Sequence, residues 1–308
     1  MSLLVVGSVA FDTIHSPHGD RERAMGGSAA YFSFSASFFT DVRLVGVVGG
    51  DFPQEYRDLL ASRPINLDGL VTKKDGKTFH WTGRYHKDMN VRDTLDIEFN
   101  VLADFSPELP DAYKDTEYVF LANDTPKTQM AVLEQCSDPK LVVCDTMNCW
   151  IERERNELVE LLGKVDGIVL NDEETRMLTG CSNLIEGGVE ILKMGPKIVI
   201  VKKGEHGALL VAAGEGEPHE NPMLLPMPAL PLRNVVDPTG AGDSFAGGMM
   251  GYLASVGEMG FEQLKRSLAY GTVMASINVE GFSLDRLRLT DQDQIDERYK
   301  LLARMLEL

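Results

Sequence analysis

The stretch Val235-Val-Asp-Pro-Thr-Gly-Ala-Gly-Asp-Ser-Phe-Ala-Gly-Gly-Met-Met-Gly251 decides how the rest of the chain is read. An extended Val235-Val236 leads into Asp237-Pro238, Gly240-Ala241-Gly242 makes a tight turn, and the apolar run over 244–256 has the length of a helix. A glycine turn opening a helix leaves backbone N–H groups unpaired at the positive end of the helix dipole, which suits a phosphate or a developing oxyanion. Asp243 falls in that first turn. Taken alone it is a capping carboxylate. Beside a bound phosphate it is placed to remove a proton from a hydroxyl attacking that phosphate. Gly247-Gly248 lets the helix lie close against a neighbour.

Three competing motifs fail on spelling. Walker A, G-x-x-x-x-G-K-[ST], occurs nowhere in the chain. Gly242-Asp-Ser244-Phe-Ala246 approaches the nucleophile elbow of α/β-hydrolases, but that chemistry needs a His after the Ser, and none of the six histidines follows Ser244. The opening Val6-Gly7-Ser8-Val9 lacks the G-x-G-x-x-G of dinucleotide-binding folds.

The whole chain has 308 residues and a net charge of −17. That length fits one large domain with a small appendage. The charge argues against nucleic acid polymers and anionic membranes as partners, since both need a basic face. A small anion in a locally positive pocket remains compatible. Residues 88–117 carry nine acids against Arg92 and Lys114, which reads as a solvated face. Four cysteines without a C-x-x-C pair read as thiols in a reducing compartment. Residues 1–7 lack the basic segment of a signal peptide and no apolar run reaches membrane-span length, so the expected location is the cytoplasm.

Short Val/Ile/Leu-rich runs at 3–6, 42–48, 118–122, 141–144, 167–170, 197–201 and 207–211 suit strands covered on both faces. Helix-length segments at 28–39, 54–62, 127–135, 153–163 and 184–193 alternate with them, giving the βαβ rhythm of a doubly wound sheet. From 70 to 99 the spacing of Val71, Phe79, Trp81, Tyr85, Val91 and Leu95, with an Asp75-Gly76 turn, predicts a small antiparallel β insertion joined by the extended segment 13–24. Such a flap is placed to act as a lid.

Asp237-Pro-Thr-Gly-Ala-Gly-Asp-Ser-Phe-Ala-Gly-Gly248 closely resembles the C-terminal signature of the ribokinase-like (PfkB) family of carbohydrate and nucleoside kinases. The resemblance extends through Val5-Val-Gly-Ser-Val-Ala-Phe-Asp12, Gly26-Gly27, Val45-Gly-Val-Val-Gly-Gly-Asp51, Asp145 with Asn148, Asn171-Asp-Glu-Glu174 and Val201-Lys-Lys-Gly-Glu-His-Gly207. It implies a three-layer α/β sandwich with a mostly parallel central sheet and a small β lid.

It further implies Asp243 as catalytic base, with Gly240, Ala241, Gly242 and the Asp243 N–H as the anion hole for phosphoryl transfer from ATP. Asn171 and Glu174 match an N-x-x-E element that orders Mg²⁺ and phosphates through water, a spacing that equally makes a capping box. Lys202, Gly204 and Gly207 match the strand and turn beneath the nucleotide, with the adenine pocket around 270–276. Asp12, Gly26 and Gly27 match the acceptor side.

The family's sugar kinases commonly carry an Asn shortly after the diglycine; here Ser28 or Tyr31 takes its place. Trp81, Arg84 and Tyr85 of the lid, and Asn123-Asp124, are placed to line the acceptor crevice. A monovalent cation near Asp237 and 276–283, and a homodimer through the lid, are further implications. The leading expectation is a sugar kinase acting on a primary hydroxyl, followed by a nucleoside kinase, and then by a catalytically silent nucleotide- or sugar-binding module.

Overall fold

A strand that is apolar at every position needs cover on both faces. The first strand, β1 (Ser2–Val6), has it: Leu3 and Val5 enter one core, Leu4 and Val6 another on the opposite face. The computed structural model describes residues 2–214 and 220–307. The elements that follow are β2 (Ala10–Ser16), β3 (Gly19–Gly26), α1 (Ser28–Ala36), β4 (Asp41–Gly49), α2 (Gln54–Ala61), β5 (Ile65–Lys73), β6 (Phe79–Tyr85), β7 (Arg92–Glu98), β8 (Tyr118–Leu121), α3 (Pro126–Leu133), β9 (Leu141–Asp145), α4 (Asn148–Arg153), α5 (Arg155–Leu162), β10 (Gly167–Asn171), α6 (Asp172–Thr179), α7 (Leu184–Leu192), β11 (Ile198–Lys202), β12 (Ala208–Ala212), β13 (Met223–Met227), α8 (Ala241–Val256), α9 (Phe261–Asn278) and α10 (Gln292–Leu306).

Nine strands form one sheet in the order β13-β12-β11-β10-β9-β8-β1-β4-β5. Pairing is parallel from β11 to β5, and β12 and β13 add an antiparallel edge. Helices α1, α8, α9 and α10 supply side chains to the core on one face, and α3, α5, α6 and α7 to the core on the other. The result is the expected three-layer sandwich. The chain first builds outward from β1 through β4 and β5, then returns to its other side with β8. Crevices at the carboxyl ends of strands beside such a reversal are where α/β sheets bind ligands.

Three adjacent strands run one residue past their apolar stretch and end on Asp145, Asn171 and Lys202. Above them α8 sits unusually close to its neighbours. A Cβ on Gly251 would stand 2.9 Å from the Ala36 carbonyl oxygen, and one on Gly248 2.8 Å from that of Tyr270. The small residues along α8 thus let it wedge between α1 and α9.

The lid is a second sheet, ordered β3-β2-β6-β7. It differs from expectation in two ways. Residues 65–73 belong to the large sheet, because Ile65 and Leu70 are buried against it, so the Asp75-Gly76 turn carries the chain from one sheet to the other. β2 and β6 run parallel, since the hairpin β2–β3 begins at Ala10 and not within the expected 13–24. Asp51 fixes the root: its Oδ1 accepts from the Thr78 N–H and Oγ1–H, both at 2.8 Å, and its Oδ2 accepts from Arg23 at 2.9 Å.

The four cysteines are unpaired. Among the described residues no helix is long and apolar enough to cross a membrane.

Candidate active site

Gly240 begins α8 in the left-handed region at φ 74°, with the Tyr31 ring packed so closely that any Cβ there would strike it. The turn is fixed from beneath. The buried Asp237 accepts from the Thr239 N–H at 2.9 Å and the Ser283 N–H at 3.2 Å, and Asn278 donates to the Thr239 carbonyl at 2.8 Å. The N–H groups of Gly240 and Gly242 have no partner among the described residues. Ala241 corrects the expectation. Its N–H is taken by the Pro238 carbonyl at 3.1 Å, so it shapes the hole without lending a donor.

Asp243 lies in the first turn of α8, and burial pushes its carboxyl up to about 7. The negative charge of Asp145 adds to the rise; Lys202, and more weakly Arg92, oppose it. Lys202 reaches into the same space from the end of β11, with Nζ 3.4 Å from Asp145 Oδ2. Burial alone would lower its pKa, but Asp145, Glu174 and Asp243 hold the ammonium protonated. A Cβ on Gly242 would stand 3.0 Å from that Nζ. A buried carboxyl raised to near neutrality therefore sits beside a fixed cation and free N–H donors, a combination suited to phosphoryl transfer.

Asn171 and Glu174 form the complete capping box at the start of α6. The Asn171 N–H donates to Glu174 Oε2 at 2.7 Å, and the Glu174 N–H to Asn171 Oδ1 at 2.8 Å. Burial pushes Glu174 up to about 7 against the pull of Lys202. Among the described residues no three His, Cys, Asp or Glu side chains cluster as a metal cage.

Next to this edge a pocket of about 750 Å³ opens, lined by Lys202, Gly204, Gly207, Leu230, Gly242 and Phe245 among others. That size suits a small ligand such as a nucleotide. Gly204 and Gly207 both adopt positive φ, 53° and 81°. Of the expected adenine segment, Thr272, Ala275 and Ser276 line the pocket with Val279, the spacing of one helical face. Tyr270 faces away, stacked between Tyr252 and Tyr299 at 4.8 and 4.4 Å.

Asp12, 4% exposed, sits where β2 leaves the mouth of β1. Burial first, then the charges of Asp237 and Asp243, push it up to about 8. The Tyr31 hydroxyl lies 3.5 Å from its Oδ2. Gly26 is pressed against the carboxylate with no room for a Cβ, and Gly27, at φ 94°, crosses the Ser8 carbonyl. Tyr31 thus bridges the Asp12 carboxylate and the glycine turn. Ser28 is otherwise engaged: its N–H and Oγ bond Ser8 Oγ at 2.9 and 3.1 Å, and the same Oγ reaches the Asn123 carbonyl at 3.5 Å. It ties the floor of the crevice together. The Asn123 side chain, held by the Trp150 indole N–H at 3.0 Å, shares that floor; burial pushes Asp124 up to about 6.

From the lid, Tyr85 is buried, and its hydroxyl meets Thr239 Oγ1 at 3.1 Å. Arg84 alternates with it along β6 and is exposed on the opposite face, away from the cleft. The lid tip touches the rim of the 750 Å³ pocket, where Asn90 donates to Glu205 at 3.1 Å. Sequence reasoning left Asp145 and Thr239 out of the site. The signal for Asp145 was present, an apolar strand ending on a carboxylate; no local pattern marks Thr239.

A sheet of this topology with a buried carboxylate in a glycine turn is an arrangement suited to phosphoryl transfer. The sequence pattern described as "pfkB family carbohydrate kinase" matches residues 2–286, and the chain belongs to that family of kinases. It is 31% identical over 257 residues to the cytidine kinase of Thermococcus kodakarensis, covering 81% of this chain and 87% of that protein. The crystal structure of the Methanocaldococcus jannaschii nucleoside kinase superposes with a TM-score of 0.78 at 21% identity, covering 97% of this chain and 98% of that one. Aminoimidazole riboside kinase from Salmonella enterica, solved with aminoimidazole riboside and an ATP analogue, gives 0.76 at 18%, covering 97% of this chain and all of that one.

Proposed function

We propose that the protein is an ATP- and Mg²⁺-dependent nucleoside kinase that phosphorylates the primary hydroxyl of a riboside. The observation that carries this reading is the convergence of two buried carboxylates in one cleft, Asp12 at the switch-point crevice and Asp243 at the glycine turn, linked through Tyr31. Asp12 receives vicinal sugar hydroxyls and so aims the primary one at the turn. Asp243 takes that hydroxyl's proton as its oxygen bonds to the γ-phosphorus of ATP. The bond from that phosphorus to the bridging oxygen breaks, and its electron pair leaves with ADP. Gly240 and Gly242 N–H groups and Lys202 face the charge that grows on the transferred group.

Mg²⁺ supplies charge neutralisation to the phosphates when bound. The cap uses Glu174 Oε2, which leaves Glu174 Oε1 and Asp145 to hold the ion through water. Sparse protein ligation of this kind is how Mg²⁺ sits among phosphates.

Nucleosides move ahead of free sugars because the cytidine kinase relative is 31% identical over most of both chains. The family description keeps a sugar kinase as the second reading. For either reading we propose a cytoplasmic location, which the unpaired cysteines support. A homodimer through the lid would cover Leu95, Ile97 and Phe99, all exposed at the lid edge. A monovalent cation would sit beside Asp237 and Ser283.

Steady-state kcat/KM across cytidine, uridine, adenosine, inosine and ribose tests the reading. At least one nucleoside should exceed ribose by about tenfold or more; ribose as the best acceptor would overturn it in favour of a sugar kinase.

A further inference from the structure

The acidic run 88–117 was expected to be a solvated face, and β7 within it is exposed along its whole length. The start of the run, in the turn between β6 and β7, is engaged elsewhere. Asp88, Met89 and Asn90 line the 750 Å³ pocket together with Gly204 and Glu205, so the tip of the lid forms part of the wall of the cavity whose size suits a nucleotide.

The tip is a turn fixed by its own bonds. The His86 N–H donates to the Val91 carbonyl at 3.1 Å and the Val91 N–H to the Asp88 carbonyl at 2.9 Å. Asp88 Oδ1 accepts from the Asn90 N–H at 3.0 Å and from Asn90 Nδ2 at 3.1 Å. The same Nδ2 donates to Glu205 Oε1 at 3.1 Å. Both amide hydrogens are thus spent on carboxylates, which turns Asn90 Oδ1 toward the Gly204 backbone, where a Cβ would stand 2.8 Å from it. Asn90 Oδ1 and Glu205 Oε2 accept no hydrogen bond among the described residues. Two free acceptors, one from the lid and one from the body, therefore sit on side chains already bonded to each other.

Acceptors of this kind are misplaced beside phosphates, which offer oxygens and negative charge. The groups of a nucleotide that donate hydrogen bonds are the ribose hydroxyls and the base amine. The pocket separates its ends by chemistry: Lys202 and Gly242 suit phosphates, whereas Thr272, Ala275 and Val279, on one face of α9, form a less polar wall suited to a base. The turn carrying Gly204 and Glu205 follows Lys202 within three residues, next to the phosphate end, where the sugar of a nucleotide falls.

We propose that Asn90 Oδ1 and Glu205 Oε2 accept the 2′- and 3′-hydroxyls of the donor nucleotide's ribose, so that the lid tip selects ribonucleoside over deoxyribonucleoside triphosphates. Vicinal hydroxyls present two donors to two adjacent acceptors, and a site built to pair a hydroxyl rejects the analogue that lacks it. The inference rests on the kinase reading above, deepens its donor site, and holds for either acceptor class.

Equilibrium binding of ATP, 2′-deoxy-ATP, 3′-deoxy-ATP and ITP to the full chain, with Mg²⁺ and no acceptor, tests it by calorimetry. The wild type should bind ATP roughly tenfold or more tightly than either deoxynucleotide. Asn90 and Glu205 are exposed, and Asn90→Ala and Glu205→Ala should fold as the wild type does. Each should cut the preference to about threefold or less over at least one deoxynucleotide, chiefly by weakening ATP. A bond that merely holds the lid shut would, when removed, weaken all four nucleotides alike and leave the preference intact. That result overturns the proposal, as does a wild type that binds the deoxynucleotides as tightly as ATP. A Glu205→Ala effect confined to the ATP-over-ITP ratio would also overturn it, by placing the carboxylate on the base amine. If the ribose preference and its loss are found but the wild type phosphorylates neither nucleosides nor sugars, the functional reading fails and the ribose site stands.

Discussion

The floor of the cleft and its lid are built on opposite terms. In β1 every residue after the first is buried, whereas in β7 every residue is exposed. The floor holds Asp243, Lys202 and the glycine turn through packing on both faces of a sheet and through a wedged helix, so its geometry is set before any ligand arrives. The inner lid strands β2 and β3 are anchored by buried Phe11, Ile14 and Met25, whereas the outer strands β6 and β7 and their tip reach the body through polar contacts such as Tyr85 to Thr239 and Asn90 to Glu205. Segments with few buried apolar contacts open at low free-energy cost. On the proposed function, chemistry belongs to the rigid half and acceptor retention to the lid. Substitutions on the floor should change kcat, and those in the lid should act mainly on the acceptor, Asn90 at its tip excepted.

The sharpest way to break that division is Asp243→Asn, expected to lower kcat by about 10³-fold with acceptor KM nearly unchanged in a coupled ADP-release assay. Gly242→Ala should follow at about 10²-fold, because its Cβ crowds the Lys202 ammonium and the free N–H. If both act on KM alone, the floor is not the transfer site. On the lid, Tyr85→Phe removes one hydrogen bond and should cost about 1 kcal/mol, roughly fivefold in acceptor kcat/KM. Arg84→Ala, on the outer face, should stay within about twofold.

The pH dependence of kcat/KM should rise through about 7 and then level, since Asp243 must be ionised to accept the proton. The smallest effect is on stability. A carboxyl whose pKa is raised by folding contributes stability that is complete below its unfolded value near 4 and is lost as pH climbs through its folded value, here about 7 for Asp243 and about 8 for Asp12. Asp243→Asn should therefore gain melting temperature over the wild type as pH goes from 5 to 8, by the equivalent of about 1–3 kcal/mol. A gap that narrows over that interval would mean Asp243 is not a buried, strained carboxylate.

What could be read from the sequence follows the same division. The glycine turn, its helix and Asp243 lie within a few consecutive residues, so local pattern sufficed. Each buried strand announced itself as a continuous apolar run. The Asp145–Lys202 pair joins positions far apart in sequence, and only the parallel order of β9, β10 and β11 brings them together. Arg84 was placed at the acceptor crevice, yet it alternates with the buried Tyr85 and is exposed, because which face of a half-exposed strand meets the cleft depends on its partner strand. Ala241 was miscounted as a donor because the spelling of a turn does not say which N–H bonds back onto the chain.

The most direct measurement is ³¹P NMR of the product formed when wild-type protein and Mg·ATP are given cytidine and ribose at equal concentration. Asp12 and Asp243 converging on one acceptor, with the 31% identical cytidine kinase relative favouring a nucleoside, predict a nucleoside 5′-monophosphate as the main new signal. Ribose phosphate as the main product, or inorganic phosphate with no phosphorylated acceptor, would contradict it.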